Sequence, residues 1–296
     1  MIYVKDHNCK FWTFPGGERN VKISVREGAD PYEPVSEEIK IRIIPHIPKP
    51  LIITCVFKGS DDIIDMLLVN NALRNMYGAS VPISLRIWYF PFARQDRVMT
   101  YGEPFALQVF ADIVKSCNFS KVFVWDAHSD VLAGMFPAGV LSIYEQHDLM
   151  FGALDDRLYD LKEEKKTAVL ISPDAGALKK IYKLAKDLEI GVVEAKKVRD
   201  VATGEITRTE INVDEFRTAD EAWVVDDIAD GGRTFIELAK VIRAGGYQGK
   251  LRLYVSHGIF SKGLDGFTDF NSVHAMNIMN LSYEDFQKFN DRNEGE

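Results

Sequence analysis

Short apolar runs bounded by turn residues alternate with amphipathic stretches of helical period along most of this chain, and that alternation restricts its fold more than any other feature. Runs of five or six apolar residues suit strands buried on both faces, which occur where helices cover a parallel sheet. The pattern predicts α/β architecture, a mainly parallel sheet flanked by helices. Strands are expected at Leu51–Phe57, Leu85–Phe90, Lys121–Trp125, Thr167–Ser172, Gly191–Glu194, Ala222–Val225 and Leu251–Ser256. A helix is expected over Asp61–Tyr77, burying Ile63, Ile64, Leu67, Leu68, Ala72 and Leu73 and stopping at Gly78. Another runs from Pro104 to Ser116 with Phe105, Val109, Phe110 and Ile113 inward, and two more cover Ala177–Leu188 and Thr234–Ala244.

A length of 296 residues suggests two domains. The stretch from Val140 to Lys166 is charge-rich and shows no clear strand, so the boundary is placed there, giving domains 1–145 and 146–296. The polar tail from Glu284 is expected to fray. With 44 acidic against 36 basic residues the net charge is −8, which leaves no cationic surplus for a nucleic-acid backbone. No apolar run approaches the roughly 18 residues that cross a bilayer, and the N-terminus carries charge where a secretion signal needs an apolar stretch. Three widely spaced cysteines without a CxxC pair argue against a disulfide framework or zinc cluster. These features predict a cytoplasmic protein that binds neither nucleic acid nor membrane.

The chemistry concentrates in Asp226-Asp227-Ile228-Ala229-Asp230-Gly231-Gly232-Arg233-Thr234, where a buried strand delivers two acids to a glycine turn that opens a helix. Ligands of open α/β sheets bind at that edge, and free N–H groups at the helix start suit a phosphate. Paired carboxylates beside them can accept hydrogen bonds from two sugar hydroxyls, although the same residues suit a solvated acidic turn equally well. Arg94 and Arg97 follow an apolar strand, where guanidinium groups can grip phosphate oxygens bidentately. His128 ends another strand and could ligate a metal or touch phosphate. Asp174 follows a third, and its hard oxygens suit Mg²⁺, which is held by one or two carboxylates plus substrate phosphates. Lys196-Lys197-Val198-Arg199 precedes the turn-like Ala202-Thr203-Gly204-Glu205 and, taken alone, reads as an exposed basic hairpin.

Several of these segments together resemble one family, the ribose-phosphate pyrophosphokinases or phosphoribosyl pyrophosphate (PRPP) synthetases. Tyr89-Phe90-Pro91-Phe92-Ala93-Arg94-Gln95-Asp96-Arg97 is similar to the family's ATP signature, Val124-Trp125-Asp126-Ala127-His128-Ser129 to its strand-borne Asp-x-His, and Ile171-Ser172-Pro173-Asp174-Ala175-Gly176 to its pyrophosphate loop. Asp226–Thr234 resembles the ribose-phosphate loop, and Ser256-His257-Gly258-Ile259-Phe260-Ser261 a later stretch, all in family order between Phe11 and Ser261.

The resemblance implies two tandem phosphoribosyltransferase-like (type I) domains and an Mg²⁺-dependent transfer of the β,γ-diphosphate of ATP to the C1 hydroxyl of ribose 5-phosphate, giving PRPP and AMP. It further implies that Phe14, Glu18, Arg94, Gln95 and Arg97 bind ATP, and that His128 and Asp174 serve the metal. Lys197 and Arg199 match a mobile catalytic loop, and Asp226, Asp227, Asp230, Gly231, Gly232, Arg233 and Thr234 match the ribose-phosphate site. No general base is assigned. In the family the loop resembled by Phe14–Glu18 serves a neighbouring subunit, which implies a homo-oligomer, a dimer or hexamer.

Three positions depart from the family pattern: Gly16 replaces an acid or amide, Gly102 an arginine, and Gly231 the first threonine of the ribose loop, beside which Arg233 adds a cation. The last change raises an alternative acceptor with an esterified 5′-phosphate, such as ADP-ribose. A PRPP-consuming phosphoribosyltransferase and a catalytically silent partner of a synthetase are the other readings.

Overall fold

The computed structural model describes residues 1–26, 51–199 and 206–294. The chain divides into two units, Met1–Tyr144 and Glu145–Glu296. In the first, β1 (Ile2–Val4) precedes an antiparallel hairpin of β2 (His7–Thr13) and β3 (Arg19–Val25), followed by β4 (Leu51–Cys55), α1 (Ser60–Tyr77), β5 (Ile83–Ile87), α2 (Ala106–Ser116), β6 (Lys121–Trp125) and β7 (Leu141–Tyr144). The sheet order is β1-β4-β5-β6-β7, parallel except for β1. Alternation along the strands sends Ile83, Leu85, Ile87, Val122 and Val124 to one face, where α1 and α2 cover them with Met66, Leu73 and Phe110.

The second unit carries α3 (Gln146–Glu163), β8 (Ala168–Ser172), α4 (Ala175–Leu188), β9 (Gly191–Glu194), the antiparallel pair β10 (Lys196–Arg199) and β11 (Ile206–Glu210), β12 (Glu221–Ala229), α5 (Arg233–Ala244), β13 (Lys250–Gly258), β14 (Ser272–Ile278) and α6 (Tyr283–Glu294). Its main sheet is wholly parallel, in the order β14-β13-β12-β8-β9. The chain goes from β8 to one neighbour through α4, then to the other side of β8 with β12. Ile181, Leu184 and Leu188 of α4 pack on the face carrying Leu170, Trp223 and Val225, whereas Phe235, Leu238 and Ile242 of α5 pack on the face carrying Val224, Leu253 and Val255. Consecutive helices thus leave the sheet in opposite directions, and a crevice opens beyond the carboxyl ends of β8 and β12.

At the amino ends of the strands a charged clamp holds the sheet. Glu221 at the start of β12 receives Arg252 through Nε at 3.0 Å and Arg157 of α3 through Nη2 at 2.6 Å, and Arg252 also donates to the Ser272 hydroxyl at 2.7 Å. Burial pushes the Glu221 carboxyl up, but the two guanidinium groups outweigh it and hold it below the usual range.

Four expectations need correction. The stretch from Val140 to Lys166 contains strand β7 and the 18-residue α3, whose Met150, Leu154, Leu158 and Leu161 are core residues; abundant charge on its outer face masked the helix. The buried face of α1 is rotated from the expected stripe: Ile64 is exposed while Asp65 and Asn70 turn inward, because Arg19 pairs with Asp65 and Asn70 donates to the Cys117 carbonyl at 3.2 Å. Val109 of α2 likewise faces out. Finally, the tail forms α6 in place of a frayed end. Phe286 and Phe289 are buried there, and the Asn290 amide pairs with both backbone groups of Val273 on edge strand β14, accepting from its N–H at 2.9 Å and donating to its carbonyl at 2.8 Å.

Candidate functional site

The crevice at the β8/β12 crossover collects the second unit's functional side chains. Asp174 caps α4, its Oδ1 accepting from the N–H groups of Gly176 at 3.0 Å and Ala177 at 3.1 Å. Its Oδ2 takes Lys197 Nζ from β10 at 2.6 Å. Burial pushes the Asp174 carboxyl up, yet Lys197 and the capping N–H groups together hold it below the ordinary value. The basic hairpin is therefore tied to the pyrophosphate-type loop through Lys197, which is half-buried. Arg199 ends β10, and its side chain, like residues 202–205, lies outside the described residues.

Asp226 and Asp227 are the sixth and seventh residues of β12, which runs on to Ala229, beyond the expected end at Val225. The Asp227 N–H donates to Asp226 Oδ1 at 2.8 Å. Burial raises the Asp226 carboxyl well above the usual range, and the charges of Asp227 and Asp174 add to the effect. Lys180, one turn into α4, lies 3.6 Å from Asp227 Oδ2. The sequence reading missed Lys180, since only the packing of α4 beside β12 brings it near the loop.

Asp230 and Gly231 form the bend after β12, and Gly232 caps α5 at φ +77°, where a Cβ would lie 2.5 Å from the Phe267 ring. Only glycine fits that turn. It leaves the first N–H groups of α5, those of Arg233 and Thr234, at the edge where anions bind. Arg233 itself points away: its side chain is 83 % exposed and pairs with Glu237 one turn on, at 2.7 Å.

In the first unit, Phe14 and Glu18 sit exposed on the β2–β3 turn, where Gly17 adopts φ +92° and donates to the Phe14 carbonyl. Phe14 is 46 % exposed and meets Trp12 edge-on. Arg94, Gln95 and Arg97 are exposed in the turn after β5, which reverses at Phe92 with φ +61°. Asp96 between them is buried and accepts from Arg97 Nε at 2.9 Å. The Arg97 guanidinium holds the Asp96 carboxyl down against the effect of burial, with His128 contributing. Asp96 carries no signal of its own in the sequence; its neighbourhood makes it the group that orients Arg97. His128 is half-buried after β6, beyond Asp126 at φ +43°.

Among the described residues no three His, Cys, Asp or Glu side chains form a ready-made metal cage. The donor set still suits Mg²⁺, because Asp226, Asp227 and Asp174 place hard oxygens and mutually repelling charges together, and this ion needs few protein ligands when it arrives with a polyphosphate.

No protein-family model matches the chain. Ribose-phosphate pyrophosphokinase from Mycoplasmopsis pulmonis is 28% identical over 238 residues, 78% of this chain and 69% of that protein. The enzyme of the same name from Pyrococcus furiosus is 26% identical over 225 residues, 75% of each. In sequence the chain is thus similar to proteins named ribose-phosphate pyrophosphokinase. In fold it matches the crystal structure of the phosphoribosylpyrophosphate synthetase from Mycobacterium smegmatis at a TM-score of 0.66 and 18% identity, over 90% of this chain and 79% of that one. The two parallel sheets are those of the synthetase fold, the phosphoribosyltransferase-like type I architecture. No helix of the described residues is long and apolar enough to cross a membrane.

Proposed function

We propose that the chain is an Mg²⁺-dependent ribose-phosphate pyrophosphokinase with ribose 5-phosphate as acceptor. The observation that carries this reading is the β8/β12 crevice, where one pair of carboxylates, one glycine-capped helix start and the Lys197–Asp174 pair lie in a single unit. Asp226 and Asp227 accept hydrogen bonds from the ribose hydroxyls, and the N–H groups at the start of α5 with the Thr234 hydroxyl receive the 5′-phosphate. Lys197 exchanges Asp174 for the polyphosphate and stabilises charge as the diphosphate moves, with Arg199 as its expected companion. Phe14, Glu18, Arg94, Gln95 and Arg97 hold the nucleotide. Asp174 would hold Mg²⁺ with Asp226 and Asp227 beside it in the second unit, His128 of the first unit keeps the metal role that the resemblance implies, and the ion would supply neutralisation of polyphosphate charge. The C1 oxygen forms its bond to the β-phosphorus while the bond to the α-phosphate oxygen breaks. AMP leaves, and the hydroxyl proton passes to solvent.

Two features favour ribose 5-phosphate over an esterified acceptor such as ADP-ribose. Arg233 is committed to Glu237, and the space beside Gly231 is lined by the chain after β13. Incubating protein, Mg²⁺ and ATP with each acceptor and identifying products by mass tests the reading. AMP is expected only with acceptor and metal together, and chelation abolishes it; ADP with a singly phosphorylated acceptor overturns pyrophosphoryl transfer.

A further inference from the structure

We propose that Lys262, in the loop after β13, supplies the cation that selects the 5′-phosphate of the acceptor; this rests on the ribose-phosphate site proposed above. The bend at Gly231 lacks any side chain, yet its flank is not open. A Cβ built there would meet Lys262 Cδ and Cε at 3.7 Å and the Ser261 hydroxyl at 4.0 Å. The lysine stem therefore lies along the glycine, and its ammonium is one bond beyond Cε, beside the bend that precedes α5. Among the described residues no carboxylate is within ion-pairing distance of Lys262, and its side chain is exposed. An ammonium in that position is available to a phosphate dianion as a point charge with three donors. Arg233, the cation adjacent in sequence, is already paired.

Gly231 and Lys262 form a steric couple. A Cβ at position 231 would touch the lysine carbons at ordinary van der Waals distance, so the γ atoms of a threonine would crowd the stem. Lys262 thus closes the wall that glycine opens, and the site keeps its preference for a compact phosphate monoester, the dianion that gains most from a full positive charge.

Kinetics and calorimetry on the full chain test the assignment with Lys262→Ala and Lys262→Arg. The alanine variant is expected to raise KM for ribose 5-phosphate ten- to hundredfold, the scale of one charge-assisted hydrogen bond, while KM for ATP and kcat at saturating acceptor stay within about threefold. Arginine restores most of the affinity, and unphosphorylated ribose responds equally to wild type and both variants. An unchanged KM for ribose 5-phosphate, or an equal loss with ribose, overturns the role of Lys262. If the wild-type chain forms no AMP from ribose 5-phosphate, the pyrophosphokinase reading falls. Calorimetric binding of ribose 5-phosphate without ATP then still decides Lys262, by a tenfold weakening in the alanine variant or none.

Discussion

Replacing Lys197 by alanine separates the ion pair seen in the structure from the catalytic role proposed for this side chain. In the free protein its ammonium holds Asp174 at 2.6 Å, with 18% of the lysine and 33% of the aspartate side chain exposed. A half-buried, charge-assisted hydrogen bond of this kind is worth about 1–3 kcal/mol, which for a unit of this size lowers the melting temperature by roughly 2–10 °C. In the proposed reaction the same ammonium faces a migrating diphosphate, where losing one preorganised donor costs about 10²–10³ in kcat. Activity should therefore fall far more than stability. The acid limb gives a third readout. Asp174 has a depressed carboxyl in the folded chain, so its contribution is present above the unfolded value of about 3.9 and is lost as pH falls through the folded one. Without Lys197 the folded value climbs, because burial is then opposed only by the capping N–H groups, and acid unfolding begins at higher pH. AMP formation at saturating substrates, a melting curve at pH 7 and an acid titration followed by circular dichroism measure all three. Near-native kcat would refute the catalytic assignment, and a melting loss above about 10 °C would show that Lys197 is a structural residue instead.

Asp226→Asn should abolish turnover yet raise the melting temperature at neutral pH. The folded carboxyl is raised, so its stabilising contribution is complete below the unfolded value and lost as pH rises through the folded one; the gain from asparagine vanishes below about pH 4. A melting series across pH checks the sign. Asn290→Ala should cost roughly 2–4 kcal/mol by leaving two buried groups of Val273 unpaired, readable as a lower denaturant midpoint; an unchanged midpoint would mean that α6 leaves the edge without cost. Light scattering at micromolar concentration should show at least a dimer, and a fully active monomer would exclude a neighbour-serving role for Phe14 and Glu18.

What could be read from sequence and what could not divides along the range of the interactions. Strands such as Lys121–Trp125 and Gly191–Glu194 are legible to the residue because short β-branched and aromatic stretches lie between turn signals. Helix α1 misled because Asp65 and Asn70 are buried by partners distant in sequence, and hydrophobic periodicity has no means of registering a satisfied polar group. The glycine bend before α5 was legible as a turn that opens a helix. The direction of Arg233, the approach of Lys180 and the lysine stem over Gly231 were not, since each depends on how a second element packs against the first. Asp174 carried a local signal for a metal ligand, whereas the structure shows it capping a helix, a use that depends on the backbone turning at that residue.

Strand β12 holds the Glu221 clamp at its start and Asp226 five residues later, about 17 Å along an extended backbone. That spacing exceeds the range over which substitutions usually couple. Selection, or an engineer, can therefore retune melting behaviour at the clamp without disturbing acceptor chemistry. Exchanging the buried Arg252–Glu221 pair for apolar residues of equal volume is a change of the kind that often strengthens a core. A family built on such a strand can drift far in sequence at one end while the other continues to specify the same sheet.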